Sequence, residues 1–580
     1  MAVANFNKKT FEKEIGKLDD KMQNKIAMFG TPLEGIDDKE VQIEVFPNRP
    51  DILSYQGFKR AFLAFLGKKT GLATYKVNPA EKDYQVIVDS SVKNIRPYTA
   101  CAIIRGLNLD NDKIKEIIEM QEKLHSTLGR KRKKVAIGIY PLEKIKLPIT
   151  FKAVEPDKIK FTPLEFDNEM SGLEILQRHP TGKEYAHLLA GKEKFPVFVD
   201  ADGNVLSMPP IINSLKTGKI TEKTKDVFVE CSGFDFEVLK KTLNILVVSL
   251  ADLGGKIYQM EIKYPKLHFS LANSVKNLAY SPTTIATSTR KEITPNLEPE
   301  EMKLSLENSN KLLGLNLNEK QLKSFIERMG YSYAGGKVKI PAWRTDVLHE
   351  VDLIEDIAIA HGYENFVPEI PEISTIGQED KKQIIKRKIS EILSNLQMLE
   401  TLNYHLTNKD FQFVKMGTQE KDFVAIEESK TEYNILRKDL SHYLLKILSE
   451  NSDSEYPQKI FEIGRVFEQR KEIGKISMFP DGKKEIIEGD NLAAAISPGN
   501  FTDVKQIIEY LARMLDLKIE IKETESYPQY FIEGRAAKIV FDGKEIGFIG
   551  EIHPKILRNW KIKMPVALFE INLETIYNKL

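Results

Sequence analysis

The sequence predicts a multidomain α+β protein, and three observations carry that prediction. At 580 residues the chain is too long for one hydrophobic core, and a prior of about 150 residues per domain suggests roughly four domains. Apolar residues recur along it with both helical and strand periodicity, interrupted by Pro- and Gly-containing turns rather than by a short fixed repeat. Hydrophobic residues at 42% and charged residues at 29% are ordinary for globular domains and too apolar for disorder.

Charge and cysteine content narrow the class. Lys plus Arg is 85 and Asp plus Glu is 84, a formal net charge of +1. This excludes a chain coated in one sign while leaving room for local patches. Only Cys101 and Cys231 occur, so neither a disulfide framework nor a four-cysteine zinc site is available. No stretch approaches the roughly 18 apolar residues of a membrane span. The first 20 residues are mixed with charge and lack the apolar core of a secretory signal. The expectation is a cytoplasmic protein in a reducing compartment, with no membrane association.

In chain order, residues 11–28 read as one amphipathic helix and 41–46 as an alternating strand. The turn Pro47-Asn48-Arg49-Pro50-Asp51 ends that strand, because proline removes a donor and restricts the residue before it. Residues 52–66 then read as a helix with Phe58, Ala61, Phe62 and Phe65 at helical spacing. Strands are predicted near 86–89 and 100–104, a helix over 111–127, the basic run Arg130-Lys-Arg-Lys-Lys134, and a strand over 135–139. Residues 195–199 and 205–207 flank a turn at Asp202-Gly203 and predict a hairpin. A strand at 227–230 precedes a long apolar helix at 238–253.

A boundary is expected near Ser281-Pro282. Beyond it lie helices at 305–313 and 319–329, a strand at 338–340, a helix over 347–361 stopped by Gly362, and a proline-rich linker at 368–377. The last 200 residues predict helices at 381–396, 441–449 and 503–517 and one opening at Pro554, with strands at 400–406, 460–467, 492–497 and 566–571. An Asp542-Gly543 hairpin completes a mostly antiparallel sheet.

The most suggestive cluster is Asp346 with Asp352, Glu355 and Asp356. The last three fall at i, i+3 and i+4 and share one helical face. With Asp346 they would make an all-oxygen site suited to Mg2+. Spacing alone equally describes a solvated acidic face near a helix N-terminus, and favours it. The run Arg130 to Lys134 could touch phosphates or form an exposed hairpin end. His179, Tyr185, His187, Asn213, Ser214, Glu230, Cys231 and Ser232 gather in one predicted domain. Ser214 with His187, or Cys231 with His187, invites a hydrolase reading, but no local nucleophile signature accompanies either. Gly218-Lys219 is followed by Ile220, so no Walker A motif is present, nor is a G-x-G-x-x-G after a strand.

Several strings carry a resemblance. Val45-Phe-Pro-Asn-Arg-Pro-Asp-Ile-Leu-Ser54, Phe195-Pro-Val-Phe-Val-Asp200 with Leu206-Ser-Met-Pro-Pro-Ile-Ile-Asn-Ser214, and Arg344-Thr-Asp-Val-Leu-His-Glu-Val-Asp-Leu-Ile-Glu-Asp356 running into His361-Gly-Tyr-Glu-Asn365 stand in order along the chain. Together with Gly534-Arg-Ala-Ala537 and Gly547-Phe-Ile-Gly-Glu-Ile-His-Pro554, they resemble the β subunit of phenylalanyl-tRNA synthetases. The length and the stretch Gly129-Arg-Lys-Arg-Lys-Lys-Val-Ala-Ile-Gly138 resemble its archaeal and eukaryotic form.

The resemblance implies an N-terminal module over 1–88 and a mixed α/β editing module over 89–268. It implies a helix-rich metal-binding module over 269–367 and, over 378–580, a catalytically inactive class II synthetase-like antiparallel sheet flanked by helices. It implies an (αβ)2 tetramer that joins phenylalanine to tRNA(Phe) using ATP, the synthetic site lying on the α subunit. Arg437, Arg465 and Arg535 would then be structural or interfacial. Asp346, Asp352, Glu355 and Asp356 match the family's D-x5-D-x2-E-D/E metal ligands, which implies a structural Mg2+. Hydrolysis of tyrosine misattached to the tRNA would use a pocket of Leu206, Asn213, Ser214, Glu230 and Ser232. Glu230 would accept the tyrosine hydroxyl, Ser214 and Ser232 would position the ester or water, and Leu206 would be a wall. The chain departs from the family at Ser232-Gly-Phe-Asp235, where Thr-Gly-Thr-Asp is common, and at Ile139-Tyr-Pro141, where His-Asp is usual. A scaffold subunit with decayed editing and a free-standing aminoacyl-tRNA deacylase are the alternatives.

Overall fold

The structure is a computed structural model that describes residues 2–265, 290–427, 429–470 and 485–579. The chain divides into two compact units, Met1–Glu369 and Ile370–Leu580, each with its own apolar cores. No described helix is long and apolar enough to cross a membrane. The boundary expected at Ser281-Pro282 lies outside the described residues.

The first unit opens with strand Ala2–Asn7 paired antiparallel to Glu40–Val45, which also pairs with Leu33–Ile36. The alternation at 41–46 buries Val41, Ile43 and Val45 as strand periodicity requires. The single helix expected over 11–28 is instead two, Lys8–Glu14 and Asp20–Met28. Gly16 takes φ +147 between them, and the Asp19 carboxylate accepts from Met22 N to start the second. Apolar periodicity continues across this break, so pattern alone does not reveal it. Helix Tyr55–Phe65, capped by Ser54, carries Phe58, Phe62 and Phe65 into an aromatic stack with Phe29.

The main sheet has eleven strands, nine of which form one path, labelled here β1 (Gln85–Val88), β2 (Tyr98–Arg105), β3 (Val135–Pro141), β4 (Ile149–Val154), β5 (Phe195–Val199), β6 (Val205–Met208), β7 (Ile212–Asn213), β8 (Val227–Gly233) and β9 (Lys256–Tyr264). Their spatial order is β7-β6-β5-β4-β1-β9-β2-β8-β3. The β5–β6 hairpin forms with Phe198 opposite Ser207. The right-handed twist of so long a sheet curls it, and its two edges meet where Tyr140 of β3 touches Ser207 of β6 and Asn213 of β7. Helices α1 (Asn111–Ser126) and α2 (Phe236–Asp252) cover one face. Every residue of α2 from Thr242 to Leu250 is buried, so most of its circumference faces protein.

Toward the end of this unit a three-stranded sheet, ordered Glu300–Lys303, Lys337–Ile340, Ser332–Ala334, packs with helices Leu306–Leu313, Glu319–Arg328 and α3 (Glu350–His361). Helix α3 starts three residues later than its apolar pattern suggests. Asp352 turns its carboxylate back onto the Leu348 and His349 N–H groups and closes a capping box. Residues 367–380 form no regular structure and are largely exposed.

The second unit holds a seven-stranded sheet ordered Leu399–Glu400, Gln458–Arg470, Glu485–Ser497, Ala567–Asn572, Lys544–Ile552, Phe531–Phe541, Ile519–Glu523. All neighbours are antiparallel except the first pair. Helices Lys381–Asn395 and Phe501–Met514 pack on one face, and Ser441–Glu450 and Pro554–Asn559 on the other. The strand expected over 400–406 is broken into Leu399–Glu400 and Leu406–Thr407, the latter paired with Ile435–Leu436; between them Leu402 and Tyr404 point to solvent while the Asn403 amide turns inward to Glu462. The apolar alternation there marks an exposed segment, not a buried strand face.

Candidate functional site

A cavity of about 820 Å3 opens between α1, the β3 edge, and the segments 164–167 and 207–220. Its walls include Ile118, Ile137, Ile139, Pro210 and Ile212, with Glu122, His125, Arg132, Ser207, Asn213 and Glu230 as polar groups.

Glu230 lies in β8 opposite Gly138 of β3 and Cys101 of β2. Only glycine fits at 138, since a Cβ there would lie 2.1 Å from Tyr140 Oη and 2.7 Å from Glu230 Oε1. The Tyr140 Oη sits 2.8 Å from Ser207 Oγ, 3.2 Å from Glu230 Oε1 and 3.3 Å from Asn213 Oδ1. It thus ties three polar groups of the cavity floor from the core side. Glu230 Oε2 is buried and has no hydrogen-bond partner. Burial pushes the Glu230 carboxyl up to about 8, against the opposing charge of Arg96 and hydrogen bonds from Tyr140 and Ser232, so it is largely neutral at pH 7.

Of the five residues expected in a pocket, Asn213 and Glu230 line this cavity and the other three stand behind it. Leu206 is fully buried in the core with Phe198 and Phe228, and its neighbour Ser207 faces the cavity instead. Adjacent strand residues point to opposite faces, which is why Ser207 and not Leu206 faces this cavity. Ser214 is buried beyond the wall, its N–H donating to Leu206 O. Ser232 is held by the Arg96 guanidinium, which donates to its Oγ at 3.1 Å and its backbone oxygen at 2.6 Å.

Sequence reasoning missed Ser207, Arg96 and the His125–Glu122 pair, saw Arg132 only as part of the basic run, and saw Tyr140 only as a departure from family pattern. His125 Nε2 accepts from Ile137 N at 2.8 Å, and burial lowers its pKa. Although burial raises Glu122, its contacts with His125 and Arg132 hold it down at about 2. The hydrolase pairings do not form: His187 is exposed with Nδ1 near Glu184 O. Cys231 is fully buried on the opposite face of β8, where burial pushes its thiol up. His179 sits 3.0 Å from Leu164 O and packs on Phe166.

At the cavity wall the chain reverses through Arg130, Lys131 and Arg132, with φ of +46, +51 and +63. Such left-handed geometry costs about 1–2 kcal/mol per non-glycine residue. The turn persists because Arg132 is anchored: it donates to Ile211 O at 2.7 Å and to both Glu122 oxygens at 3.0 and 3.1 Å. Its guanidinium also lies over the Tyr185 ring.

The four acidic residues expected to share Mg2+ have other partners. Asp346 takes a bidentate contact from Arg344 at 2.8 and 2.7 Å, and Asp356 Oδ2 accepts from the same guanidinium at 2.9 Å and from Tyr331 Oη. Asp352 caps α3, and Glu355 points outward, its carboxyl raised by burial and by Asp356, Asp352 and Asp346. Among the described residues no group of three His, Cys, Asp or Glu side chains is arranged to hold a metal ion. Arg344 supplies the positive charge between Asp346 and Asp356, while Glu355 still feels the charges of Asp356, Asp352 and Asp346. In the second unit, Arg437 is buried against Glu462 at 2.6 Å and donates to Arg465 O, while Arg465 and Arg535 pair with Glu488 and Glu551.

The family model described as the B5 domain of tRNA synthetases matches residues 302–363, and that of the phenylalanyl-tRNA synthetase β-chain CLM domain matches 367–573. The chain is 39% identical to the phenylalanine–tRNA ligase β subunit of Thermococcus sibiricus over 91% of its length and 90% of that protein. It is 37% identical to the same subunit of Archaeoglobus fulgidus over 98% and 97%. A crystal structure of an N-terminal fragment of the Pyrococcus horikoshii phenylalanyl-tRNA synthetase β subunit is 36% identical, with a TM-score of 0.55, covering 62% of this chain and 99% of that one.

Proposed function

Because the chain belongs to the family of phenylalanine–tRNA ligase β subunits, we propose that it works in the cytoplasm beside an α subunit, in an (αβ)2 assembly. The α subunit carries the ATP-dependent attachment of phenylalanine to tRNA(Phe). The cavity at Glu230 hydrolyses tRNA that carries tyrosine by mistake. The chemical need is general: an apolar pocket rejects an added hydroxyl by only about a hundredfold, so a second site must reward that hydroxyl.

The observation that carries the reading is Glu230 Oε2, a buried oxygen without a partner on the wall of a cavity of about 820 Å3. A substrate phenol would give that oxygen its missing partner, which phenylalanine lacks. Water then adds to the ester carbonyl, the bond to the ribose oxygen breaks, and the terminal ribose hydroxyl leaves with the proton. The test is co-expression with the α subunit, with charging compared against α alone and release of tyrosine measured on preformed Tyr-tRNA(Phe). Full charging by α alone overturns the subunit role, and release at the spontaneous rate overturns the hydrolytic one.

One observation favours a second reading, a scaffold whose pocket no longer hydrolyses. Tyr140 already presents a phenol hydroxyl to Glu230 Oε1, Ser207 and Asn213. Tyrosine release well above the spontaneous rate excludes that reading.

A further inference from the structure

The basic run at 130–134 has no role in the site chemistry above, yet the chain holds it in an unfavourable conformation beside the cavity. A left-handed turn advances only about 1.5 Å per residue, so Arg130, Lys131, Arg132, Lys133 and Lys134 form one compact knuckle of positive charge. Four of its five backbone N–H groups are tied: Arg130 N donates to Thr127 O, Arg132 N to His125 O, Lys133 N to Arg130 O and Lys134 N to Gly129 O. Arg132 points inward and is committed to Glu122, Ile211 and Tyr185 on the cavity wall. Arg130, Lys131, Lys133 and Lys134 are exposed. Among the described residues Arg130, Lys131 and Lys134 make no salt bridge.

We propose that this knuckle is an RNA-backbone contact surface that seats the phosphates of the tRNA acceptor strand as its acylated end enters the cavity at Arg132. The inference rests on the reading of the cavity as a site for aminoacyl-tRNA. With a net charge of +1 the chain has no general attraction for a polyanion, so binding must come from local patches. A rigid, pre-shaped cation cluster loses little entropy when phosphates dock. The knuckle has no apolar residue to insert into a bilayer, and through Arg132 it adjoins the cavity wall. An acidic protein surface is the competing occupant and is an outcome of the test.

The experiment uses the full chain co-purified with its α subunit and a tRNA(Phe) transcript, with affinity measured between about 50 and 200 mM NaCl. Each lost phosphate contact lowers the log–log salt slope by about 0.7–0.9. The triple variant R130A/K131A/K134A is expected to lower that slope by about 2 and weaken binding more than tenfold near 0.1 M salt. It is expected to raise KM for Tyr-tRNA hydrolysis while kcat is kept. The charge-preserving variant R130K/K131R/K134R is expected to bind like the wild type. An unchanged slope overturns the proposal. So does a loss that the charge-preserving variant shares, or a loss of α-subunit association with tRNA affinity intact. A wild-type complex that binds no tRNA sinks the aminoacyl-tRNA reading itself, and this inference with it.

Discussion

Replacing Glu230 by glutamine tests the electrostatics of the cavity most directly. Glutamine keeps the shape of the side chain and removes its ability to ionise. In the folded chain burial lifts the Glu230 carboxyl from 4.5 to about 8. Between those values the folded state holds a proton that the unfolded state has lost, so stability falls as pH rises through that window. A shift of this size corresponds to roughly 4–5 kcal/mol between pH 4 and pH 9, at about 1.4 kcal/mol per unit. Below about pH 4 both forms are neutral, and the wild type and Glu230→Gln should unfold alike. At pH 9 the variant should be the more stable by most of that amount. The assay is denaturant unfolding of the complete chain from pH 5 to 9, following the transition of the first unit. Equal pH slopes in the two proteins, or a variant less stable at pH 9, would refute the reasoning.

Four further outcomes follow from the geometry. Arg344→Leu leaves Asp346 and Asp356 buried without their cation, and should destabilise the first unit by about 3–5 kcal/mol. Added MgCl2 should leave the wild-type melting midpoint in place, and a midpoint that climbs several degrees with Mg2+ would mean the acidic cluster holds a metal after all. Gly138→Ala pushes a methyl group toward Tyr140 Oη and Glu230 Oε1; it should cost about 1–3 kcal/mol and abolish Tyr-tRNA hydrolysis, and an active, equally stable variant would contradict the close approach. Arg437→Met strands the fully buried Glu462 and should lower only the second unit's transition, by about 3–5 kcal/mol; calorimetry that shows the first unit shifting instead would argue against it.

Much of the fold was legible before the structure. Long helices such as Asn111–Ser126, Phe236–Asp252 and Glu319–Arg328 lie within a few residues of their periodic patterns. The hairpin after Asp200 was legible as well. These features depend on propensity, capping and turn chemistry between near neighbours. Pattern reading failed where two conformations share one periodicity. Gly16 splits an amphipathic stretch into two helices, and Leu402 and Tyr404 alternate toward solvent instead of a core.

The site was legible only in part. Glu230 and Asn213 line the cavity while Leu206 lies behind Ser207, because the face a strand residue presents depends on register. Helical spacing put Asp352, Glu355 and Asp356 on one face, but within that face each found a different partner: a helix cap, solvent, and Arg344 with Tyr331. Spacing describes proximity along a helix and is blind to a guanidinium competing for the same oxygens.

The sequence by itself determined the α+β inventory, the absence of disulfide and Walker-type chemistry, and, through its ordered strings, the family. Those properties reside in residue identity and short-range spacing. Only the tertiary structure decided that Tyr140 reaches Ser207, Asn213 and Glu230, which are 67, 73 and 90 residues away. Only it decided that Arg344 sits between two of the four carboxylates, and that the basic run folds back beside a cavity. These contacts arise from the curl and register of a long sheet and from buried charges seeking partners, terms settled by the whole packed chain.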